Sequence, residues 1–286
     1  MRPAPPEFLV LAGIGSVQFG AALADKLFAQ AGPGGVVFVR LLFSAVILMA
    51  IARPALRGRT RADTAAVLAF GLVLGAMNWS FYEALNRLPL GVAVTIEFTG
   101  PLVVAIASSR RLLDLVWVAL AGGGVVLLAS RGSHSGVHPL GVLLALVAAT
   151  CWALYILLTQ RVGRTFARLD GLAIALAVGT LVATPAGIVQ GGAALLRAHV
   201  IFGGLGVALL SSLIPYSLEL IALRRLSAYA FGLLMSLEPA VAALAGVIVL
   251  GQSLTAVLTI ALVMVVAASV GNTLTARRLP RPAPEA

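Results

Sequence analysis

Cysteine, histidine and charged residues are all scarce in this chain of 286 residues. Cys151 is the only cysteine, so no disulfide can form within the chain, and the three histidines fall in predicted loops away from it. A metal site built from cysteine and histidine is therefore not expected. Charged residues make up 10% of the chain, whereas soluble proteins carry about 25%. This scarcity excludes an ordinary soluble domain.

Apolar residues are abundant instead, at 60% of the chain against about 45–50% in soluble proteins. A bilayer core about 30 Å thick requires roughly 20 apolar residues per helix, and the sequence offers ten such stretches. The sequence therefore predicts an all-α integral membrane protein with ten transmembrane helices. These helices are predicted at 8–28, 34–53, 63–86, 89–109, 114–130, 139–160, 170–190, 200–222, 228–250 and 254–275.

The sequence also contains an internal duplication. The segment 84–88 returns at 222–226, and Pro101 returns at the same offset of 138 residues as Pro239. This offset pairs helices three to five with helices eight to ten, so each unit has five helices. A unit with an odd number of helices ends on the opposite side of the membrane, which predicts an inverted repeat. We expect a first repeat at 1–130, an outer linker at 131–138, a second repeat at 139–275 and a cytoplasmic tail at 276–286.

The net charge of +10 raises the question of nucleic-acid binding, and the loop positions of the 20 basic residues answer it. With a cytoplasmic N-terminus, fifteen of them fall on the inner side, so the positive-inside rule predicts that both termini are cytoplasmic. The basic charge therefore indicates membrane topology, and no nucleic-acid partner is expected. The fifteen are Arg2, Arg53, Arg57, Arg59, Arg61, Arg110, Arg111, Arg161, Arg164, Arg168, Arg224, Arg225, Arg277, Arg278 and Arg281.

Several charged residues fall inside predicted helices, where they usually face a bundle interior or a wet cavity. Arg40 and Glu97 lie at comparable depths, about 10 and 12 Å below the outer surface, and Glu238 lies close to the midplane. Glu97 is the first candidate partner of Arg40, either in a purely structural ion pair or in a site that also binds a ligand. Burial favours the neutral form of a carboxyl group, so Glu97 and Glu238 are candidate proton carriers. Glu219 lies near the inner end of its helix, where snorkelling or pairing with Arg224 is an equally good explanation.

Three prolines interrupt predicted helices, and proline leaves helix carbonyls that protein or cavity water must satisfy. Pro101 and Pro239 occupy matched positions in the two repeats, and Pro215 is the third, so these are the predicted hinge points. Polar side chains on the helices could donate or accept hydrogen bonds in the cavity, although such groups often only hold helices together. These polar residues are Gln18, Asn78, Thr99 and Tyr216.

Four strings of residues carry a resemblance to a known family: Glu97-Phe98-Thr99-Gly100-Pro101, Ser108-Ser109-Arg110-Arg111, Pro215-Tyr216-Ser217-Leu218-Glu219 and Met235-Ser236-Leu237-Glu238-Pro239-Ala240. They resemble the threonine/homoserine exporter branch of the drug/metabolite transporter superfamily. The resemblance implies ten helices in two inverted five-helix repeats of the EamA type, a central cavity, and efflux of small amino acids across the bacterial inner membrane. Two positions depart from the family pattern: Gln252 stands where a glutamate is common, and Glu83 where relatives are usually uncharged.

The resulting hypothesis is a secondary transporter that exports a small zwitterion, threonine or homoserine, in exchange for protons. Arg40 and a glutamate would supply the cationic and anionic contacts that a zwitterion requires. An exporter of drugs, nucleosides or other metabolites with the same fold is the alternative. An enzyme is not expected, because the loops contain neither a nucleophile elbow nor residues at the spacing of metal ligands. No cofactor is expected either.

Overall fold

The computed structural model describes residues 5–54, 59–107, 112–130, 138–166, 169–223, 226, 231 and 234–276. The side chains at 105–106, 112–114, 128–130, 216, 219–221, 223 and 275–276 fall outside the described set. The described residues fold into helices, with no β-strand among them. The α-helices are α1 (Pro6–Ala52), α2 (Arg61–Leu85), α3 (Leu90–Glu97), α4 (Thr99–Ala107), α5 (Leu112–Ser130), α6 (Pro139–Thr165), α7 (Asp170–Gly191), α8 (Ala198–Ala208), α9 (Ile214–Leu223), α10 (Glu238–Leu250) and α11 (Ala256–Ala276).

Helix α1 combines the first two predicted helices into one element of 47 residues. A straight helix of 47 residues, at 1.5 Å per residue, would extend about 70 Å, roughly twice the thickness of a bilayer core. Its helical geometry is interrupted at Gly32, whose φ of 66° is accessible to glycine at little cost, and Pro33 follows immediately. The expected loop between these two helices is therefore a kink, and the chain turns back on itself there.

Prolines divide two further predicted helices. The predicted helix 89–109 is broken at Phe98, because Pro101 has no N–H with which to bond the carbonyl of Glu97. In the second repeat, a turn at Ser236 and Leu237 precedes α10, so Pro239 lies in its first turn. The prediction that Pro239 kinks the middle of a helix is wrong in this respect, because a first-turn N–H has no partner within the helix and proline fits there without distortion.

A π-helix at Leu209–Leu213 joins α8 to α9. Its wider hydrogen-bonding pattern, in which Ile214 N bonds to Leu209 O, leaves the Leu210 carbonyl available, and the Ser16 hydroxyl donates to it at 2.7 Å. Pro215 likewise cannot bond to the carbonyl of Ser211 four residues earlier. Both carbonyls thus become acceptors for side chains on α1.

Close contacts hold the two halves of the chain together. Helix α1 packs against α7, α8, α9 and α10, while α2 packs against α6 and α7, and α3 against α10. Small residues permit this approach: a Cβ on Gly100 would collide with the backbone oxygen of Ala149. Large apolar side chains cover the outside, including Val189 at 83% exposure and Phe202 at 71%, as expected of a lipid-facing surface.

Five of the described helices are long and apolar enough to cross a membrane, and four further apolar helices are shorter. The predicted helices 63–86, 114–130, 139–160, 170–190 and 254–275 agree with α2, α5, α6, α7 and α11 to within a few residues. The chain is therefore an all-helical protein with a membrane-like exterior, but helix length alone does not give the predicted count of ten spans.

Candidate functional site

A cavity of about 460 Å³ is lined by both halves of the chain. This volume lies within the range of about 300–1,000 Å³ that is typical of small-molecule sites. Residues of α1, α2, α3 and α4 face residues of α6, α10, α11 and the π-helix across it. The walls are mostly apolar, with Val17, Met77, Phe81, Phe98, Trp152 and Ile156 among them. A few polar and charged side chains stand out against this lining.

Arg40 on α1 is the cation of the cavity, and its guanidinium is held on two sides. Nη1 donates to Tyr82 Oη at 3.1 Å, and Nη2 donates to the carbonyl oxygen of Ser211 at 3.1 Å. The same guanidinium lies 5.4 Å from the centre of the Tyr82 ring, within the range of a cation–π interaction. The Ser211 carbonyl is available because Pro215 has no N–H. Arg40 Nε is buried and has no hydrogen-bond partner among the described residues.

Glu97 lies at the end of α3, beside the break in the helix, and is 9% exposed. No ion pair joins it to Arg40 within the described part of the chain, so the predicted direct pair is wrong. The guanidinium is instead directed to Tyr82 and Ser211. Arg40 and Glu238 are nevertheless close enough to interact electrostatically with Glu97. Among the described residues, the cavity lining thus contains one cation, Arg40, and two carboxyl groups, those of Glu97 and Glu238, without a direct Arg40–Glu97 contact.

Glu238 is bound by Gln18 across the two halves of the chain. Gln18 Nε2 donates to Glu238 Oε1 at 3.1 Å, and the two side chains are 2% and 7% exposed. Glu238 begins α10, where the positive end of the helix dipole favours a carboxylate. Gln18 Oε1 is buried and has no hydrogen-bond partner among the described residues. Two residues that line the cavity, Arg40 and Gln18, therefore each have a buried polar atom without a hydrogen-bond partner among the described residues, a donor in Arg40 and an acceptor in Gln18.

The remaining predicted residues fall into three groups. Asn78, Pro101 and Pro215 line the cavity. Asn78 Nδ2 donates to Leu74 O at 2.9 Å. The Thr99 hydroxyl donates to Ile96 O at 2.6 Å. Thr99 and Pro239 are not among the described residues that line the cavity. The side chains of Tyr216 and Glu219, both on α9, lie outside the described residues.

Glu83, one of the two departures from the family pattern, is accounted for by its neighbours. Its carboxylate accepts from Arg87 Nη1 at 2.6 Å and from Gln190 Nε2 at 2.7 Å. Gln190 Oε1 in turn accepts from Gly34 N at 2.7 Å, next to the kink of α1. Glu83 is not among the described residues that line the cavity. We define Glu83, Arg87, Gln190 and Gly34 as the outer network.

Sequence reasoning missed several residues of the cavity. Tyr82 does not line the cavity itself, but it is fully buried and orients Arg40, and no sequence signal distinguishes it from the aromatic residues around it. Ser269, Asn272 and Thr273 on α11 also line the cavity. Their spacing of three and four residues places them on one helix face, so this polar face could have been recognised from the sequence.

Comparisons with known proteins agree with this architecture. The model of the EamA-like transporter family matches the chain twice, at residues 6–130 and 139–274. Threonine/homoserine exporter RhtA of Salmonella typhimurium (strain LT2) is 44% identical over 277 residues, covering 96% of this chain and 94% of its own length. The exporter of the same name from Escherichia coli (strain K12) is 44% identical over 274 residues, covering 96% and 92%. A crystal structure with 18% identity has a TM-score of 0.61 over 96% of this chain and 100% of its own, which indicates a shared fold.

Proposed function

Because the chain belongs to the EamA-like transporter family, we propose that it is a secondary transporter of the bacterial inner membrane that exports small amino acids such as threonine and homoserine in exchange for protons. The observation that carries the proposal is the cavity, in which one fixed guanidinium and two buried carboxyl groups are enclosed by apolar walls. The names of the 44% identical relatives support threonine and homoserine as the cargo.

A small zwitterion matches the unsatisfied groups of the cavity. Its carboxylate would pair with the guanidinium of Arg40, which lines the cavity and whose buried Nε has no partner among the described residues. Its ammonium group would donate to Gln18 Oε1 and interact with the nearby carboxyl groups of Glu97 and Glu238. Unsatisfied buried donors and acceptors cost free energy, so a ligand that satisfies both is favoured over one that satisfies neither.

We further propose ten membrane spans in two inverted repeats, 1–130 and 139–275, with an outer linker at 131–138 and both termini cytoplasmic. The two arms of α1 would be the first two spans, and α3 with α4 would form one broken span. Likewise, α8, the π-helix and α9 would form one span, and α10 would be the outer part of another. This assignment is supported by the length and kink of α1 and by the basic residues of the inner loops.

For the coupling, we propose that Glu97 and Glu238 exchange protons with the two sides of the membrane as the halves rock against each other. The helix breaks beside Pro101 and Pro239, and the π-helix next to Pro215, would absorb the backbone changes. Broken helices at the midplane are the usual location of substrate and ion sites in transporters built from repeats.

Transport by the purified chain in lipid vesicles tests the proposal. With an acidic lumen, labelled L-threonine should accumulate inside, and a protonophore that collapses the pH gradient should abolish this accumulation. Unlabelled homoserine should compete with threonine, whereas a nucleoside should not. Glu97→Gln and Glu238→Gln should lose gradient-driven uptake, while Glu7→Gln, an exposed glutamate at the start of α1, should retain it.

Two outcomes would contradict the proposal. Full gradient-driven uptake in both Glu97→Gln and Glu238→Gln would show that neither carboxyl group carries the proton. Accumulation of the nucleoside but not of threonine would instead identify the chain as an exporter of other metabolites.

A further inference from the structure

We infer that the Gln18 amide couples protonation of Glu238 to release of the bound amino acid. The inference rests on the proposed exchange of amino acid for protons and adds the group that links the two. Gln18 is a positioning residue in this scheme: it takes up no proton itself, but its orientation depends on whether Glu238 has one.

The observed hydrogen bond has only one possible direction when Glu238 is ionised. A carboxylate can only accept, so Gln18 must present its NH₂ group, and Nε2 donates to Glu238 Oε1 at 3.1 Å. The amide oxygen of Gln18 is thereby directed elsewhere, and it has no partner among the described residues. The ionised state of Glu238 thus leaves a free acceptor, the buried Gln18 Oε1, on a side chain that lines the cavity.

Protonation of Glu238 changes what Gln18 can do. A protonated carboxyl group has an O–H donor, and Gln18 Oε1 is an acceptor on the side chain already in contact with it. When the proton is on Glu238 Oε1, the oxygen that faces Gln18, half a turn about the last side-chain bond of Gln18 brings its Oε1 to this donor. The same rotation turns the NH₂ group toward the cavity and removes the free acceptor.

The consequence for an amino acid is that its ammonium group loses an acceptor and meets a donor instead. Arg40 does not change with it, because Tyr82 Oη and Ser211 O hold its guanidinium independently of Gln18. Binding of the carboxylate end is retained while binding of the ammonium end is lost. A proton on Glu238 and an amino acid in the cavity therefore disfavour each other, as exchange requires.

Other groups around Glu238 contribute to its charge state. From α1 the charged neighbour is Arg40, and from α3 it is Glu97, which interacts electrostatically with both Arg40 and Glu238. Helix α6 contributes the titratable hydroxyl of Tyr155 to the cavity. The residues of α11 that line it, Ser269, Asn272 and Thr273, carry no charge.

The test is the pH dependence of threonine binding by the full chain in vesicles of phosphatidylethanolamine and phosphatidylglycerol, without a gradient. Over the range from about pH 5 to 9, the affinity of the unsubstituted chain for L-threonine should be lower at the acidic end than at the alkaline end by about tenfold or more. Gln18→Leu should bind threonine weakly throughout, and its affinity should change several-fold less over the same range than that of the unsubstituted chain, because only the direct attraction between the ammonium group and the ionised carboxyl groups remains. Glu238→Gln should be nearly independent of pH.

Gln160→Leu is the matched control, because Gln160 is exposed on α6, and it should keep the full pH dependence. If Gln18→Leu does not fold, Gln18→Met retains the length of the side chain without its polar atoms and should behave in the same way. A full pH dependence in the Gln18 variants, or one abolished by Glu97→Gln but not by Glu238→Gln, would overturn the inference. An unsubstituted chain that binds threonine equally at every pH would also overturn it, whereas no threonine binding at any pH would contradict the proposed function itself.

Discussion

Arg40 is fixed by residues that are remote from it in the sequence. Its partner Tyr82 is 42 residues away, and Ser211 is 171 residues away. The sequence predicts a buried cation at position 40, because a lone arginine within an apolar helix requires a partner. It did not predict the partner correctly, because the Ser211 carbonyl becomes an acceptor only through a proline and a π-helix in the other half of the chain.

Tyr82→Phe tests the contribution of this support at the scale of one hydroxyl group. The ring and its contact with Phe28, 5.7 Å between centroids, should persist, but Arg40 Nη1 loses its acceptor. Because a hydrogen bond to a charged group contributes about 1.5–3 kcal/mol, the apparent KM for threonine should rise about tenfold or more. Phe28→Leu is the control, since it alters packing around Tyr82 without removing a polar atom. An unchanged KM in Tyr82→Phe would show that the hydroxyl does not position Arg40.

At the scale of elements, interruptions of the helices matter more than the helices themselves. Breaks at Phe98, at the turn before α10 and at the π-helix all border the cavity. Each is associated with a proline visible in the sequence, so their approximate positions were predictable. Their form was not, because a proline can kink a helix, begin one or accompany a π-helix, depending on which other groups accept the freed hydrogen bonds.

Pro215→Ala tests this coupling between backbone and site. Alanine restores an N–H that can compete with Arg40 for the Ser211 carbonyl. Threonine binding should therefore weaken several-fold, which is less than the effect of losing a whole hydrogen bond to a charged group. Thermal stability should not fall, because proline within a helix is unfavourable. Pro185→Ala, at an exposed position within α7, should leave threonine binding unchanged. Equal effects of the two substitutions on binding would contradict a specific role for Pro215.

For the whole molecule, the important contacts cross between the two halves. Gln18 and Glu238 are 220 residues apart, and Gln252 accepts a hydrogen bond from Leu90 N across 162 residues. The duplication, most of the helical segments and the charged residues of the cavity follow from composition and spacing. These long-range pairs do not, because one sequence contains no information on which faces of distant helices meet.

Gln190→Ala tests the outer network, which joins α7 to α2 and to the kink of α1. Glu83 is 6% exposed and would lose one of its hydrogen-bond donors, while Gly34 N would lose its acceptor. The free energy of unfolding in detergent should therefore fall by about 1–3 kcal/mol. Gln30→Ala removes an exposed amide from α1 and should change stability little. Equal stability of the two variants would show that the network does not hold the halves together.

The polar residues of the cavity do not follow the duplication. At the repeat offset, Gln18 corresponds to Ile156 and Glu97 to Met235, and all four side chains line the cavity. At these two pairs of equivalent positions, the first repeat thus provides a polar side chain and the second an apolar one. A dipolar molecule in the cavity therefore has one preferred orientation. The chain can transport its substrate in that orientation, although the repeated fold itself favours none.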